Sequence, residues 1–158
     1  MFRLSKITDY GIVLLAHLAK DDSDTAHNAR EVAADVDLPL PVVAKVLKSL
    51  ARRGILESHR GAKGGYSLAR RPDAITVTEM IGALEGPFGL TECATHPGAC
   101  PQESDCQMRE PWQRINRVVY DAMARITLAD LVGPLPDSIV SLVGLAGGLR
   151  GLDASKTT

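Results

Sequence analysis

The chain has 158 residues and a formal net charge of −1, with 45% hydrophobic and 23% charged residues. This length predicts one domain, or one domain with appendages, and the composition excludes wholesale disorder. No apolar run reaches the roughly 18 residues that span a bilayer. The first residues, 1–6, lack the apolar core of a signal peptide. We therefore expect a cytoplasmic protein without a membrane partner.

The near-zero net charge conceals two oppositely charged blocks. Residues 41–72 contain eight Lys and Arg residues against one Glu, which gives a net charge of +7. Residues 73–111 contain seven Asp and Glu residues against one Arg, which gives −6. Such asymmetry indicates two functions in one chain. We expect the basic block to face nucleic acid and the acidic block to face away from it.

In the first half of the chain, apolar spacing predicts helices over 5–20, 29–36 and 41–53. In the third helix one stripe is apolar, and the basic residues fall on another face. Strands are predicted over 55–60 and 66–69, around a glycine-rich turn. Two short helices followed by a basic hairpin predict a mainly α fold with a small β-wing, the winged helix-turn-helix.

In the second half, a capping-box pattern at Thr76–Glu79 predicts a short helix that ends near Gly86. Residues 86–108 are predicted as a loop, which is long enough to be functional. A long helix is predicted over 110–126, and a short one restarts at Thr127. The long helix carries an apolar seam made of Trp112, Ile115, Val119, Ala122 and Ile126.

A recognition helix needs one apolar face to dock on its own domain and one basic or hydrogen-bonding face for base edges and phosphates. Glycines at the tip of the hairpin allow close approach of the backbone to a phosphate or a minor groove. The alternative is a surface helix with solvated charges beside an ordinary turn. The predicted DNA-binding residues are Ser5, Lys6, Lys45, Lys48, Arg52, Arg60, Lys63, Gly64 and Gly65.

All three cysteines lie in the predicted loop, at Cys93, Cys100 and Cys106. An odd number of cysteines without a secretion signal argues against a disulfide framework. Structural zinc usually uses closer cysteine pairs and four ligands, whereas soft thiolates at wider spacing suit an iron–sulfur cluster. Zinc and thiol-based redox chemistry stay open as alternatives. His96 and Asp105 are candidates for a fourth ligand, although each also fits a solvated loop position.

The sequence resembles the Rrf family of bacterial winged-helix transcription regulators over about residues 1–132. Within this family it is most similar to regulators of SUF-system iron–sulfur assembly. The most specific feature of this resemblance is the combination of a glycine-rich wing with three downstream cysteines. The matching stretches are Leu4–Gly11, Arg60–Leu68, Ala83–Gly86, Leu90–Cys93, Trp112–Asn116 and Thr127–Leu131.

The resemblance implies a homodimer in which the long helix crosses its partner. It also implies an iron–sulfur cluster on the three cysteines, with 2Fe-2S favoured over 4Fe-4S. In NsrR-like members an aspartate from the partner subunit completes the ligation, and here it matches Asp9. The alternative for Asp9 is a first-turn residue stabilised by the helix dipole. The histidine that IscR-like members place after the last cysteine is absent, since residues 107–109 are Gln, Met and Arg.

The function implied by the resemblance is that of a repressor of iron–sulfur cluster assembly genes that binds promoter DNA. One alternative is a zinc- or thiol-based redox repressor with the same DNA-binding domain, and another is a protein-interaction module or a small redox enzyme. No catalytic constellation supports an enzyme. The predicted segments are a DNA-binding domain (1–75), a linker helix with the cysteine loop (76–108), a dimerisation helix (109–132) and a loosely ordered tail (133–158).

Overall fold

The computed structural model describes residues 4–20, 25–61 and 64–134. The chain is mainly helical with one small sheet, as the sequence predicts. The first half contains α1 (Lys6–Lys20), α2 (Ala29–Asp35), α3 (Leu40–Arg52), β1 (Leu56–His59) and β2 (Gly65–Leu68). After a short 3-10 turn at Pro72–Ala74, the second half contains α4 (Val77–Glu85), α5 (Glu92–Thr95), α6 (Arg109–Ala124) and α7 (Leu128–Val132).

The apolar stripe of α3 forms the centre of the core. Its buried residues are Val43, Val46, Leu47 and Leu50, which are the three- and four-residue repeats of an amphipathic helix. They pack with Leu14 and Leu15 of α1 and with Val32 of α2, all fully buried. The predicted stripe is therefore confirmed, and the other face of α3 is left for solvent or a partner.

Side-chain caps fix where several helices begin. Asn28 and Glu31 form a capping box at the start of α2, and Thr76 with Glu79 forms the predicted one at the start of α4. A third capping box, made by Thr127, begins α7. Each cap supplies acceptors for N–H groups that the first helical turn leaves without a partner.

The wing is a two-stranded antiparallel hairpin that is attached to His27, two residues before the start of α2. Leu56 pairs with Leu68 and His59 pairs with Gly65 across the hairpin. The backbone of Tyr66 exchanges two hydrogen bonds with the backbone of His27, at 2.8 and 2.9 Å. A Cβ atom at Gly65 would overlap the His27 carbonyl group. Glycine at position 65 is therefore required by the fold itself.

Helices α4 and α7 belong to the same core as α1 to α3. Met80 of α4 and Leu128 of α7 are both fully buried in it. The N–H of Val77 donates to the Ile126 carbonyl and the N–H of Leu128 to the Ile75 carbonyl, both at 2.8 Å. Residues from the predicted segments 1–75, 76–108 and 109–132 thus share one core.

The segment from Gly86 to Met108, called the cysteine segment below, lies outside that core. It was predicted as a loop, and it contains the one-turn helix α5 and a series of turns. Neither α5 nor α6 has a buried residue. No helix within the described ranges is long and apolar enough to span a membrane. Of the predicted tail, 133–158, residues 135–158 lie outside the part of the chain that the structure describes.

Candidate nucleic-acid interface and cysteine segment

The exposed side of α3 presents three cations, Lys45, Lys48 and Arg52, which we call the basic face. None of the three forms an ion pair within the part of the chain that the structure describes. Because α3 buries its apolar stripe on its own domain, these cations are free to meet phosphates or base edges. The predicted residues of this helix therefore lie together on one accessible surface.

Part of the basic block is neutralised by the acidic block. The guanidinium of Arg70 lies 2.9 Å from the Glu79 carboxylate, and that of Arg71 lies 3.0 Å from Asp73. Asp73 raises the pKa of Arg71 through a side-chain hydrogen bond and its charge. The net charge of +7 counted along the sequence therefore overestimates the unpaired positive charge that is available to bind phosphates.

The start of α1 lies beside the basic face. Ser5 precedes α1, and its Oγ atom accepts the N–H of Thr8 at 3.2 Å, which makes it the cap of this helix. Lys6, the first residue of α1, is exposed. Ser5, Lys45 and Ser49 line one open cavity of about 460 Å³. Of the predicted residues, the structure therefore brings Ser5 and Lys45 together around this cavity.

Glu85, the last residue of α4, lines the same cavity and was not among the predicted site residues. Its Oε1 atom accepts the backbone N–H of Ser5 at 2.6 Å. Hydrogen bonds from the Thr8 hydroxyl and the Ser5 N–H hold the pKa of Glu85 below its ordinary value. One residue of the acidic block thus lies beside Lys45. The sequence feature that could have identified Glu85 is its position immediately before Gly86 and the cysteine segment.

In the wing, Arg60 follows β1 and is exposed, whereas Lys63 lies outside the described residues. A Cβ atom at Gly64 would overlap the His59 carbonyl oxygen. The two wing glycines, predicted to allow close approach to DNA, therefore have reasons within the protein for lacking a side chain. Their predicted contact with DNA stays a prediction.

The three thiols lie on different parts of the cysteine segment. Cys93 is on α5 and half-buried, Cys100 is half-buried in the following turns, and Cys106 is exposed before α6. None forms a disulfide. The Cys93 sulfur lies 3.3 Å from the Thr91 hydroxyl and lines a cavity of about 430 Å³ together with Asn116 and Arg117.

Two polar side chains that the sequence analysis missed hold the cysteine segment on α6. Asn116 of α6 accepts the N–H of Leu90 at 2.9 Å. Glu103, between the last two cysteines, accepts the N–H of Gly98 at 2.6 Å and pairs with Arg109 at 2.9 Å. No motif marks such contacts, because they depend on how the turns fold back onto the helix.

Asp9 lies in the first turn of α1 and is exposed. Among the described residues of this one chain, no group of three or more His, Cys, Asp and Glu side chains is arranged to hold a metal ion. The predicted role of Asp9 needs a second subunit and stays a prediction. The donor types nevertheless fit an iron–sulfur cluster, since three unpaired thiols lie within one short segment.

Helix α6 and the residue before it expose an apolar face made of Met108, Trp112, Ile115 and Val118. Val118 is the most exposed of these, at 68% of its surface. Of the predicted seam, Trp112, Ile115 and Ala122 are exposed, whereas Val119 and Ile126 are half-buried. The exposed stripe is thus rotated towards Val118 relative to the predicted seam, because α6 packs against α4 and α5 on its other side.

These features define a winged helix-turn-helix protein with an appended cysteine segment and a long, uncovered helix. The family model described as "Iron-dependent Transcriptional regulator", Rrf2, matches residues 4–134. The chain therefore belongs to the Rrf2 family of transcriptional regulators, and the predicted resemblance is confirmed.

Several characterised proteins are similar to this chain. The HTH-type transcriptional repressor NsrR of Streptomyces coelicolor is 31% identical over 131 residues, which cover 82% of this chain and 88% of NsrR. The structure of CymR, the global cysteine regulator of B. subtilis, superposes with a TM-score of 0.65 at 30% identity, covering 84% of this chain and 97% of CymR. The structure of T. potens IscR has a TM-score of 0.60 at 23% identity, covering 98% and 94%, and supports the fold alone.

Proposed function

We propose that this protein is a homodimeric repressor that binds promoter DNA of iron–sulfur cluster assembly genes and senses a cluster held by Cys93, Cys100 and Cys106. The observation that carries the DNA-binding part is the basic face of α3, whose cations have no ion-pair partner among the described residues. The family membership supports the class of function. The similarity to NsrR, which is named a repressor, supports repression rather than activation.

The two basic faces of a dimer would enter successive major grooves of a pseudo-palindromic operator. Lys45, Lys48 and Arg52 would bind phosphates and base edges, while Ser5 and Lys6 add contacts at the start of α1. Arg60 and Lys63 of the wing would bind the backbone or the minor groove, and Gly64 and Gly65 would allow the backbone of the wing to approach the duplex closely. Direct selection from a random duplex library should recover sites whose half-sites lie about one helical turn apart.

The dimer would form through the apolar face of α6. Four large apolar side chains on one side of a helix are unfavourable in water and mark a surface for association. A two-fold arrangement would place the same face of each subunit against the other. Such a dimer would also allow Asp9 of one subunit to approach the cysteine segment of the other.

When bound, an iron–sulfur cluster would supply a redox- and ligand-sensitive centre. We favour 2Fe-2S over 4Fe-4S, with Asp9 of the partner subunit as the fourth ligand. The three thiols would have to draw together, and this would move the turns that Glu103 and Asn116 hold against α6. A coupling free energy of about 1–3 kcal/mol between cluster binding and DNA binding is enough to alter DNA affinity by one to two orders of magnitude.

Anaerobic reconstitution with iron and sulfide tests the cluster. The expected result is a brown protein with thiolate-to-iron absorption, and its loss in a Cys93→Ser variant. A colourless protein with one zinc per chain would contradict the proposal. Asp9→Ala should accelerate cluster loss, whereas Glu57→Ala, which removes an exposed carboxylate of β1, serves as the control.

A second candidate is a thiol-based repressor without a metal. It is favoured by the similarity to CymR, named a global cysteine regulator, and by the finding that no three side chains among the described residues of the single chain are arranged to hold a metal ion. In that case DNA affinity should respond to thiol oxidation in metal-free protein. The same DNA-binding assay, run with chelator and with thiol oxidant, separates the two candidates.

A further inference from the structure

One carboxylate joins the entrance of the cysteine segment to the start of α1. Glu85 is the last residue of α4, and Gly86 follows it with a φ of +96°. The Oε1 atom of Glu85 accepts the N–H of Ser5 at 2.6 Å, across 80 positions of sequence. Because the acceptor carries a charge, this hydrogen bond belongs to the stronger kind.

An apolar contact next to this hydrogen bond keeps α1 and α4 close. Leu84 occupies the space beside Gly11 of α1, where a Cβ atom would overlap the Leu84 side chain. The neighbouring residues Leu84 and Glu85 therefore attach the end of α4 to the first turns of α1. If the end of α4 is displaced, either α1 moves with it or these contacts break.

The position of Glu85 is electrostatically unfavourable for a DNA-binding surface. It lines one cavity with Ser5, Lys45 and Ser49. A carboxylate beside Lys45 repels phosphate, so its charge alone lowers the affinity for DNA. A role in holding the first turn of α1 accounts for a carboxylate at this place.

We propose that Glu85 is a positioning residue for DNA binding, which fixes the first turn of α1 beside α3 and transmits a displacement of the cysteine segment to the DNA-binding surface. The inference rests on the proposed function. While Glu85 accepts the Ser5 N–H, Ser5 and Lys6 keep their place beside the basic face. When the cysteine segment moves, the chain turns at Gly86 and the Ser5 N–H loses its acceptor.

Three variants test the inference: Glu85→Ala, Glu85→Gln and, as a matched control, Glu57→Gln. Glu57 is an exposed carboxylate on β1 of the wing, without a side-chain hydrogen bond among the described residues. Loss of a hydrogen bond to a charged acceptor corresponds to an effect of about tenfold. We expect Glu85→Ala to bind operator DNA about tenfold more weakly, whereas Glu85→Gln, whose amide oxygen still accepts an N–H, stays much closer to the wild type. Glu57→Gln should bind equally or more tightly.

Amide hydrogen exchange on the free protein is the second measurement. The Ser5 amide should exchange about tenfold faster in Glu85→Ala, with the core amide of Leu47 unchanged. The ratio of DNA affinities between reconstituted and cluster-free protein should also move towards one in this variant.

Three results would overturn the inference. They are DNA binding by Glu85→Ala that is as tight as that of the wild type or tighter, unchanged exchange at Ser5, and equal acceleration at Ser5 and Leu47, which would indicate general destabilisation. If the wild-type protein binds no duplex DNA, the proposed function fails. The exchange measurement then still decides whether Glu85 fixes α1.

Discussion

The DNA-binding part of the chain and the part that carries the cysteines are built in different ways. Helices α1 to α4 and α7 all contribute buried residues to one core, and three capping boxes fix helix starts within it. The cysteine segment and α6 contribute no fully buried side chain, and the segment is held by backbone N–H groups that donate hydrogen bonds to Asn116 and Glu103. The first part forms a buried core from its own residues. The second exposes apolar surface that a second subunit would cover.

The largest expected effect comes from a charge on the apolar face of α6. Ile115→Glu would place an uncompensated carboxylate in the proposed dimer interface, at a cost of about 3–5 kcal/mol. The dimer dissociation constant should rise by about two to four orders of magnitude, as measured by sedimentation equilibrium.

Gln113→Glu is the control, because residue 113 lines the polar cavity beside Cys93. This variant should remain dimeric. A dimeric Ile115→Glu protein would show that α6 is covered by something other than a second copy.

The next effect tests whether α7 belongs to the stable part of the molecule. Leu128→Ala removes a fully buried side chain and should lower the free energy of unfolding by about 2–5 kcal/mol in urea denaturation. Leu131→Ala, one turn further along the same helix, removes a side chain that is 39% exposed and should cost much less. Equal losses in the two variants would contradict the shared core.

A smaller effect concerns the cations. Lys45→Ala should weaken binding to promoter DNA and reduce the slope of log affinity against log salt by about 0.9, because one phosphate contact is lost. Arg71→Ala also removes one cation, but this cation is already paired with Asp73. Its slope should stay at the wild-type value. Equal changes in both variants would mean that only the net charge of the block matters.

The smallest effect is a pH dependence within the stable part. Partial burial raises the pKa of Glu79, but the Thr76 N–H and Arg70 outweigh it and hold the pKa below its ordinary value. A lowered pKa in the folded state means that the carboxylate stabilises the fold above its ordinary pKa and that this contribution is lost as the pH falls through the lowered value. Glu79→Gln should therefore be less stable than the wild type at pH 7, by about 1 kcal/mol or less.

The difference in the free energy of unfolding between Glu79→Gln and the wild type should shrink on acidification, as measured by urea denaturation at several pH values. Glu57→Gln, which removes an exposed carboxylate, is the control for a general effect of charge. A difference that stays constant between neutral and acidic pH would contradict the role assigned to Glu79.

The sequence by itself determined the helices of the first half, the hairpin, the capping box at Thr76 and the family. These features are encoded locally, by apolar spacing, by a cap three residues from its partner or by glycine in a turn. The stripe of α3 is an example, since its four buried residues were all recognisable from their spacing.

Only the tertiary structure decided which charges stay unpaired and which contacts join distant segments. Arg70 and Arg71 looked equivalent to Lys45 and Lys48 until the fold placed carboxylates beside them. Likewise, the exposed stripe of α6 turned towards Val118 because α4 and α5 cover its other side. The hydrogen bond between Glu85 and Ser5 joins residues 80 positions apart, and no local pattern encodes it, because the packing of α4 on α1 alone brings the two together.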